Sequence, residues 1–273
     1  MKRVIVGLGL ISALLIGDGL KNAMEMVGTS TYMKYKGVIE KLISPNDSLK
    51  VVAQKLKQNG LLKLTFSSPR NIYPVFVFKD RSPLFDTFTL YTTLRRIGYS
   101  YFFPYYVKRE NGSYSLQLQI KAGHQIDPVS FMEEMEKRGC KTLRVKKYQN
   151  FLFVLNCANQ FIPEAIVPTP QGVKGTLQQG NGSIWIKVKG GEKLKLSTLS
   201  QNDKWHPHIL FFSDKLELYN NLQVPIVQHS YTLTVPDGVA YLRVDDLYTT
   251  TNLKSGLLIK LIGGGGENLG TNQ

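Results

Sequence analysis

Apolar residues recur at helical spacing in three stretches of the first 160 residues, and each stretch ends the same way. Leu56-x-x-x-Gly60, Leu94-x-x-x-Gly98 and Met135-x-x-x-Gly139 each set a large apolar residue in the last turn. A glycine four positions on can take the left-handed conformation that closes a helix. In the first, Leu49, Val52, Ala53 and Leu56 form the stripe behind the cap signal Ser44-Pro45-Asn46-Asp47-Ser48. A second helix is predicted over residues 84–97. A third starts at Asp127-Pro128, with Phe131, Met132 and Met135 inward and Glu133, Glu134, Glu136 and Lys137 mainly outward.

Period-two runs follow each helix. Residues 61–66 and 73–78 read as strands about a turn at Ser67-Ser68-Pro69-Arg70-Asn71. Residues 99–108, interrupted by Pro104, and 113–121 flank Asn111-Gly112, a strong hairpin signal. Tyr114, Leu116, Leu118 and Ile120 alternate onto one face. Residues 140–147 and 151–157 form a hairpin about Tyr148-Gln149-Asn150. The expected α+β repeat domain covers residues 46–160, behind a weakly periodic lead-in at 20–45.

A proline-rich linker is expected over 161–171, because proline fits poorly inside regular elements. Helical periodicity then vanishes. Short strands are predicted at 172–177, 183–188, 193–198, 208–213, 216–219, 224–228, 231–235, 239–244 and 256–262. Such spacing argues for an all-β sandwich, jelly-roll-like, over 172–262, with a disordered glycine-rich tail at 263–273.

The first 19 residues change the picture. Met1-Lys2-Arg3 is basic, residues 4–16 are apolar but for glycines and Ser12, and Gly17-Asp18-Gly19 breaks the run. That is the layout of a secretory signal, shorter than the ~20 apolar residues a spanning helix needs. With no Ala-x-Ala site, residues 1–19 are either cleaved or kept as an inner-membrane tether. The expected location is a bacterial periplasm. Of 273 residues, 42% are hydrophobic, and the formal charge is +14. Export lowers nucleic acid among anionic partners and raises lipid headgroups, cell wall and acidic proteins.

Cys140 and Cys157 are the only cysteines. They stand equidistant from a turn centred between Tyr148 and Gln149, so they face each other only in that register. They are either a cross-strand disulfide, suited to an oxidising compartment, or two buried thiols. Along Tyr99, Tyr101, Phe103 and Tyr105, alternate members of a strand leave the core unless both faces are covered. They are the candidate binding-face aromatics.

No phosphate loop, nucleophile elbow or zinc-spaced cluster is present, so no catalytic, cofactor or firm metal residue is assigned. His206 and His208 are the weak metal candidates, with Asp203 or His229 as partners; Asp245-Asp246 with nearby carbonyls is a calcium option, and turn formation is its alternative.

The run Gln119-Ile120-Lys121-Ala122-Gly123, the helix to Met135-x-x-x-Gly139 and the strand at 151–155 together resemble a SPOR domain. The resemblance implies ferredoxin-like helix–strand–strand repeats that bind peptidoglycan glycan strands lacking stem peptides. Lys121-Ala122-Gly123-His124 stands where those modules open with Gln-x-Gly-Ser/Ala-Phe, so no ligand residue carries over. The stretch from Tyr231 to Arg243 is similar in style to galactose-binding-like jelly rolls. The expectation is a non-enzymatic periplasmic binding or scaffold protein contacting peptidoglycan or envelope proteins. The alternatives are an accessory part of an envelope machine (flagellar motor or secretion system) and a carbohydrate-active enzyme with a sugar-binding module.

Overall fold

The computed structural model describes residues 18–79, 82–110, 112–177 and 182–264. Residues 1–17 of the expected leader, Asn111 of the hairpin turn and residues 265–273 of the tail lie outside the described residues. The chain is mixed helix and strand with three sheets, in two compact units. One comprises Met1–Arg81 and Thr89–Asn159; the other comprises Ser82–Phe88 and Gln160–Gln273.

The first unit opens with α1 (Asp18–Val27), α2 (Thr29–Lys34), α3 (Lys36–Leu42) and α4 (Leu49–Gln58). The expected lead-in is therefore folded structure: Ala23, Met26, Tyr32, Ile39 and Ile43 are all buried in the main core. Ser48 caps α4, its Oγ accepting from the Val51 amide at 3.4 Å. Next come β1 (Thr65–Ile72), β2 (Val75–Phe78), α5 (Pro83–Arg96), β3 (Phe102–Glu110), β4 (Ser113–His124), α6 (Pro128–Glu136), β5 (Lys141–Lys147) and β6 (Phe151–Asn156). Residues of α5 through Phe88 belong to the second unit and the remainder to the first.

Strand β4 organises this sheet. One of its edges pairs with β3; the other pairs first with β1 and then with β2. β2 lies parallel to β6, and β5 closes the far edge. The turn expected at residues 67–71 is not a turn. It lies inside β1, which pairs with β4 at Thr65 and again from Arg70, with a register shift between. Ile72↔Ile120 and Val75↔Gln117 keep one register, so β1 and β2 run along β4 almost as a single strand. Pro69 is tolerated because it falls in the irregular stretch.

All three helix ends are built as the spacing predicts. Gly60, Gly98 and Gly139 have φ of 68°, 98° and 76°. The amide after each glycine reaches back to the apolar anchor's carbonyl: Leu61 to Leu56, Tyr99 to Leu94, Cys140 to Met135, at 2.8–3.0 Å. On the sheet's inner face Phe76 stacks on Phe153 at 5.5 Å, and Phe131 of α6 meets both rings. Glu134, expected outward, is instead buried and pairs at 3.2 Å with Arg138, which is 1% exposed. Burying the guanidinium requires a charged partner beside it.

The second unit contains β7 (Val173–Gly175), β8 (Ile184–Lys187), β9 (Lys193–Thr198), β10 (Pro207–Phe212), β11 (Leu218–Gln223), β12 (Ser230–Thr234), β13 (Tyr241–Asp246) and β14 (Leu257–Gly263). They form two antiparallel sheets, β11-β10-β13-β8 and β12-β9-β14-β7. Residues of both share one core, among them Ile186, Ile209 and Leu242 from the first and Leu194, Leu196 and Ile259 from the second. Trp205, wholly buried, joins them and donates its indole N–H to the Asp245 carbonyl at 2.9 Å.

Two expectations change here. Residues 224–228 are not a strand; their amides at Val224 and Gln228 bond instead to the Pro207 and Trp205 carbonyls. Pro225 has no N–H to give a ladder. The expected linker is also not free: Ile166 bridges to Ile186 and Thr169 to Lys260, while Ile162 packs with Phe85, Trp185 and Tyr241. No described helix is long and apolar enough to cross a membrane.

Candidate functional site

The first unit's sheet has two unlike faces. Phe76, Phe78, Leu116, Leu118, Phe153 and Leu155 enter the core. Their alternates Val75, Val77, Ser115, Gln117, Leu152 and Val154 stand outside that core and are only half-buried. The pairing aligns them in rows across the strands. One row runs Lys146, Leu152, Val75, Gln117, Tyr106; the next runs Arg144, Val154, Val77, Ser115, Lys108. Five strands at ~4.8 Å spacing make each row about 19 Å long.

Strand β3 supplies the aromatic end. Phe103 pairs with Gln119 and Tyr106 with Gln117, both on this outer face. They share it despite being three residues apart because Tyr105 is an extra residue, a bulge between Pro104 and Tyr106. Tyr105 meets Tyr73 edge-on, 5.0 Å between centroids. Tyr101, Phe103, Tyr105 and Tyr106 are 82%, 67%, 61% and 56% exposed. These are large apolar surfaces left in water on β3 and on the residue just before it, the property that marks a contact site.

Tyr99 does not belong with them. It is buried, and its hydroxyl lies 2.7 Å from His124 Nδ1 and 3.0 Å from the Gln125 carbonyl oxygen. Burial, with Asp127 adding to it, pushes this hydroxyl far above the ordinary tyrosine range, so it stays protonated. It lines a cleft of about 300 Å³ together with Ser100, Tyr101, Lys121 and His124, at the end of the aromatic strand.

Cys140 and Cys157 are bonded. The turn centres on Gln149, since Lys147 pairs with Phe151, and that register alone would leave the two cysteines out of step. A bulge between Thr142 and Arg144 shifts the pairing by one residue, and Lys141 then faces Asn156, next to the bridge.

His206 and His208 do not converge. His206 Nδ1 lies 3.3 Å from Asp246, and His208 Nδ1 lies 2.6 Å from Asp245, which also holds Arg243 at 3.2 Å. Asp203 accepts from Ser255. Asp246 is filled by the amides of His206, Tyr248 and Thr249 and by the Asn252 side chain, at 2.7–3.0 Å. It holds a loop together. No group of three His, Cys, Asp or Glu that could hold a metal occurs among the described residues.

The outer-face arrangement combines stacking rings, amides and aliphatic side chains between two basic ends. It offers an exposed contact surface. Sequence reasoning missed Tyr73, Val75, Val77, Leu152 and Val154. The signal was present, because Pro74-Val75-Phe76-Val77-Phe78 is apolar at every position rather than at alternate ones. No protein-family model and no curated protein sequence matches the chain.

Proposed function

We propose that this is an exported, non-enzymatic binding or scaffold protein of the bacterial envelope. Its first unit is a ferredoxin-like, SPOR-like adhesion module that contacts peptidoglycan, and its second is a jelly-roll-like sandwich. The observation that carries the reading is the exposed ladder Tyr101, Phe103, Tyr105 and Tyr106 along one edge of a sheet face, with Lys108 and Lys121 beside it and Lys146 at the far end of the row. Flat rings stack on the apolar faces of sugars, and the amide row Gln117–Gln119 supplies hydrogen-bonding groups for hydroxyls. The Cys140–Cys157 bond supports an oxidising compartment and hence the periplasmic reading of residues 1–19.

The test is co-sedimentation with purified sacculi at low salt. The wild-type protein pellets, and Tyr101→Ala/Phe103→Ala/Tyr105→Ala stays in the supernatant with unchanged circular dichroism. A wild-type protein that never pellets removes the glycan reading.

A second reading has its own support. Val75, Val77, Leu152 and Val154 make the middle of the face aliphatic, which suits a protein partner better than a sugar chain. In that case the protein is an accessory component of a larger envelope assembly. Crosslinking through a photoreactive residue at position 77 in intact cells, captured onto one protein band rather than sacculi, supports it.

A further inference from the structure

Helices α2 and α3 each bury one residue and expose its neighbour. Tyr32 and Ile39 are in the core, whereas Met33 is 66% and Val38 54% exposed. Val38 lines a cleft of about 530 Å³ together with Tyr35, Leu42, Lys34 and Lys41. Residues 29–42 carry three lysines against one acid, Glu40. Glu40 is taken up by Lys36 at 3.8 Å and the Tyr32 hydroxyl at 3.3 Å. Among the described residues no carboxylate lies within ion-pair distance of Lys34 or Lys41.

This patch is tied to the place where the apolar run at residues 4–16 joins the fold. The Gly19 amide donates to the Pro45 carbonyl at 2.8 Å, so the chain leaving α3 returns to the first turn of α1. A Cβ at position 19 would stand 2.2 Å from the Ser44 oxygen, so only glycine allows that closure. Residue 19 is therefore held beside the turn that follows α3, which carries Lys36 and Lys41.

The geometry points to α2–α3 as a docking surface for an anionic phospholipid layer. Lys34 and Lys41 pair with headgroup phosphates, and Met33 and Val38 enter the boundary between headgroups and acyl chains. The reading of residues 4–16 as membrane-directed is used only to place the bilayer. The charge imbalance and the exposed side chains stand without it.

The test uses the full chain carrying Gly37→Cys, labelled with a polarity-sensitive fluorophore. The new thiol is the sole free one because the native pair is bonded, and position 37 has open space around its Cβ. Expected is a blue-shifted emission with vesicles of phosphatidylcholine and phosphatidylglycerol, and none with phosphatidylcholine alone, even where residues 1–17 hold the protein to both. Lys34→Gln/Lys41→Gln lowers the docked population by roughly thirtyfold. Met33→Ser/Val38→Ser abolishes the shift. An equal shift on neutral vesicles, no shift on either, or a shift untouched by the lysine changes overturns the proposal. So does the same response from a label at Tyr101→Cys, which would mean unselective adsorption. Sacculus binding is read separately, so failure of one reading leaves the other standing.

Discussion

At the scale of single residues, Asp246 shows how a carboxylate becomes structural. Burial alone would raise its pKa, but the His206, Thr249 and Tyr248 amides and the Asn252 side chain hold it below the ordinary carboxylate range. Removing the acceptors in Asp246→Ala leaves several donors without partners and costs about 2 kcal/mol in urea unfolding at pH 7. Because its folded pKa is depressed, this contribution is complete above the unfolded value near 3.8 and is lost as pH falls through the folded one. The gap between wild type and Asp246→Asn should therefore narrow in unfolding curves as pH is taken progressively below 3.8. Tyr99 teaches a different lesson. It was grouped with exposed aromatics by strand alternation, yet it directly follows Gly98 and its amide bonds to Leu94. The residue after a left-handed glycine folds back on its helix, and Cys140 after Gly139 is buried in the same way. The glycine that was legible as a helix stop also announced the burial of its neighbour. Tyr99→Phe, which strands the His124 and Gln125 groups, should lower stability by about 1 kcal/mol in urea unfolding.

At the scale of elements, the helices and most strands were legible because their periods are clean and their stops are glycines. What the periods do not show is where an extra residue interrupts a ladder. Bulges at Tyr105 and next to Thr142, and the irregular run between Thr65 and Arg70, depend on the partner strand, and a pattern read along one segment does not contain its partner. The bridge tests this. Reducing it, or making Cys140→Ser/Cys157→Ser, opens a short loop and should lower unfolding stability by about 3 kcal/mol. Deleting Leu143 joins Thr142, which faces Leu155, directly to Arg144, which faces Val154, so the ladder becomes regular, Cys140 stays opposite Cys157 and intact-mass analysis after alkylation should find no free thiol. Two free thiols in the deletion variant would show that Leu143 is not the extra residue of the ladder.

At the scale of the whole molecule, helical periodicity fades near residue 160, and beyond Gln160 the described elements are strands with one short 3-10 helix. The assignment of Ser82–Phe88 to the second unit was not legible. A helix pattern says which residues are apolar, and Phe85 and Leu94 look alike until their partners are known. Charge also acts at this scale. The Arg144 hydrogen bond holds the Glu25 carboxyl below its usual range, as Lys55 does for Asp47. For Asp127, burial opposes the lowering but Lys57, Ser130 and the Val129 amide outweigh it. All three contribute above the ordinary carboxylate values and stop contributing as acid protonates the folded forms. A chain already at +14 gains further positive charge in the same interval. Thermal unfolding should therefore be flat from pH 8 to 5 and drop steeply below pH 4, more steeply at low ionic strength.

Strand β2 occupies the middle of its sheet, with a later-made neighbour on each side: β4 antiparallel and β6 parallel. During synthesis, its Val-Phe-Val-Phe segment waits for residue 156 before both edges are paired. For that interval the nascent chain displays a bare, very hydrophobic ribbon. A truncation ending at residue 124 should accordingly precipitate or sit on a holdase chaperone, while one ending at 159 should not.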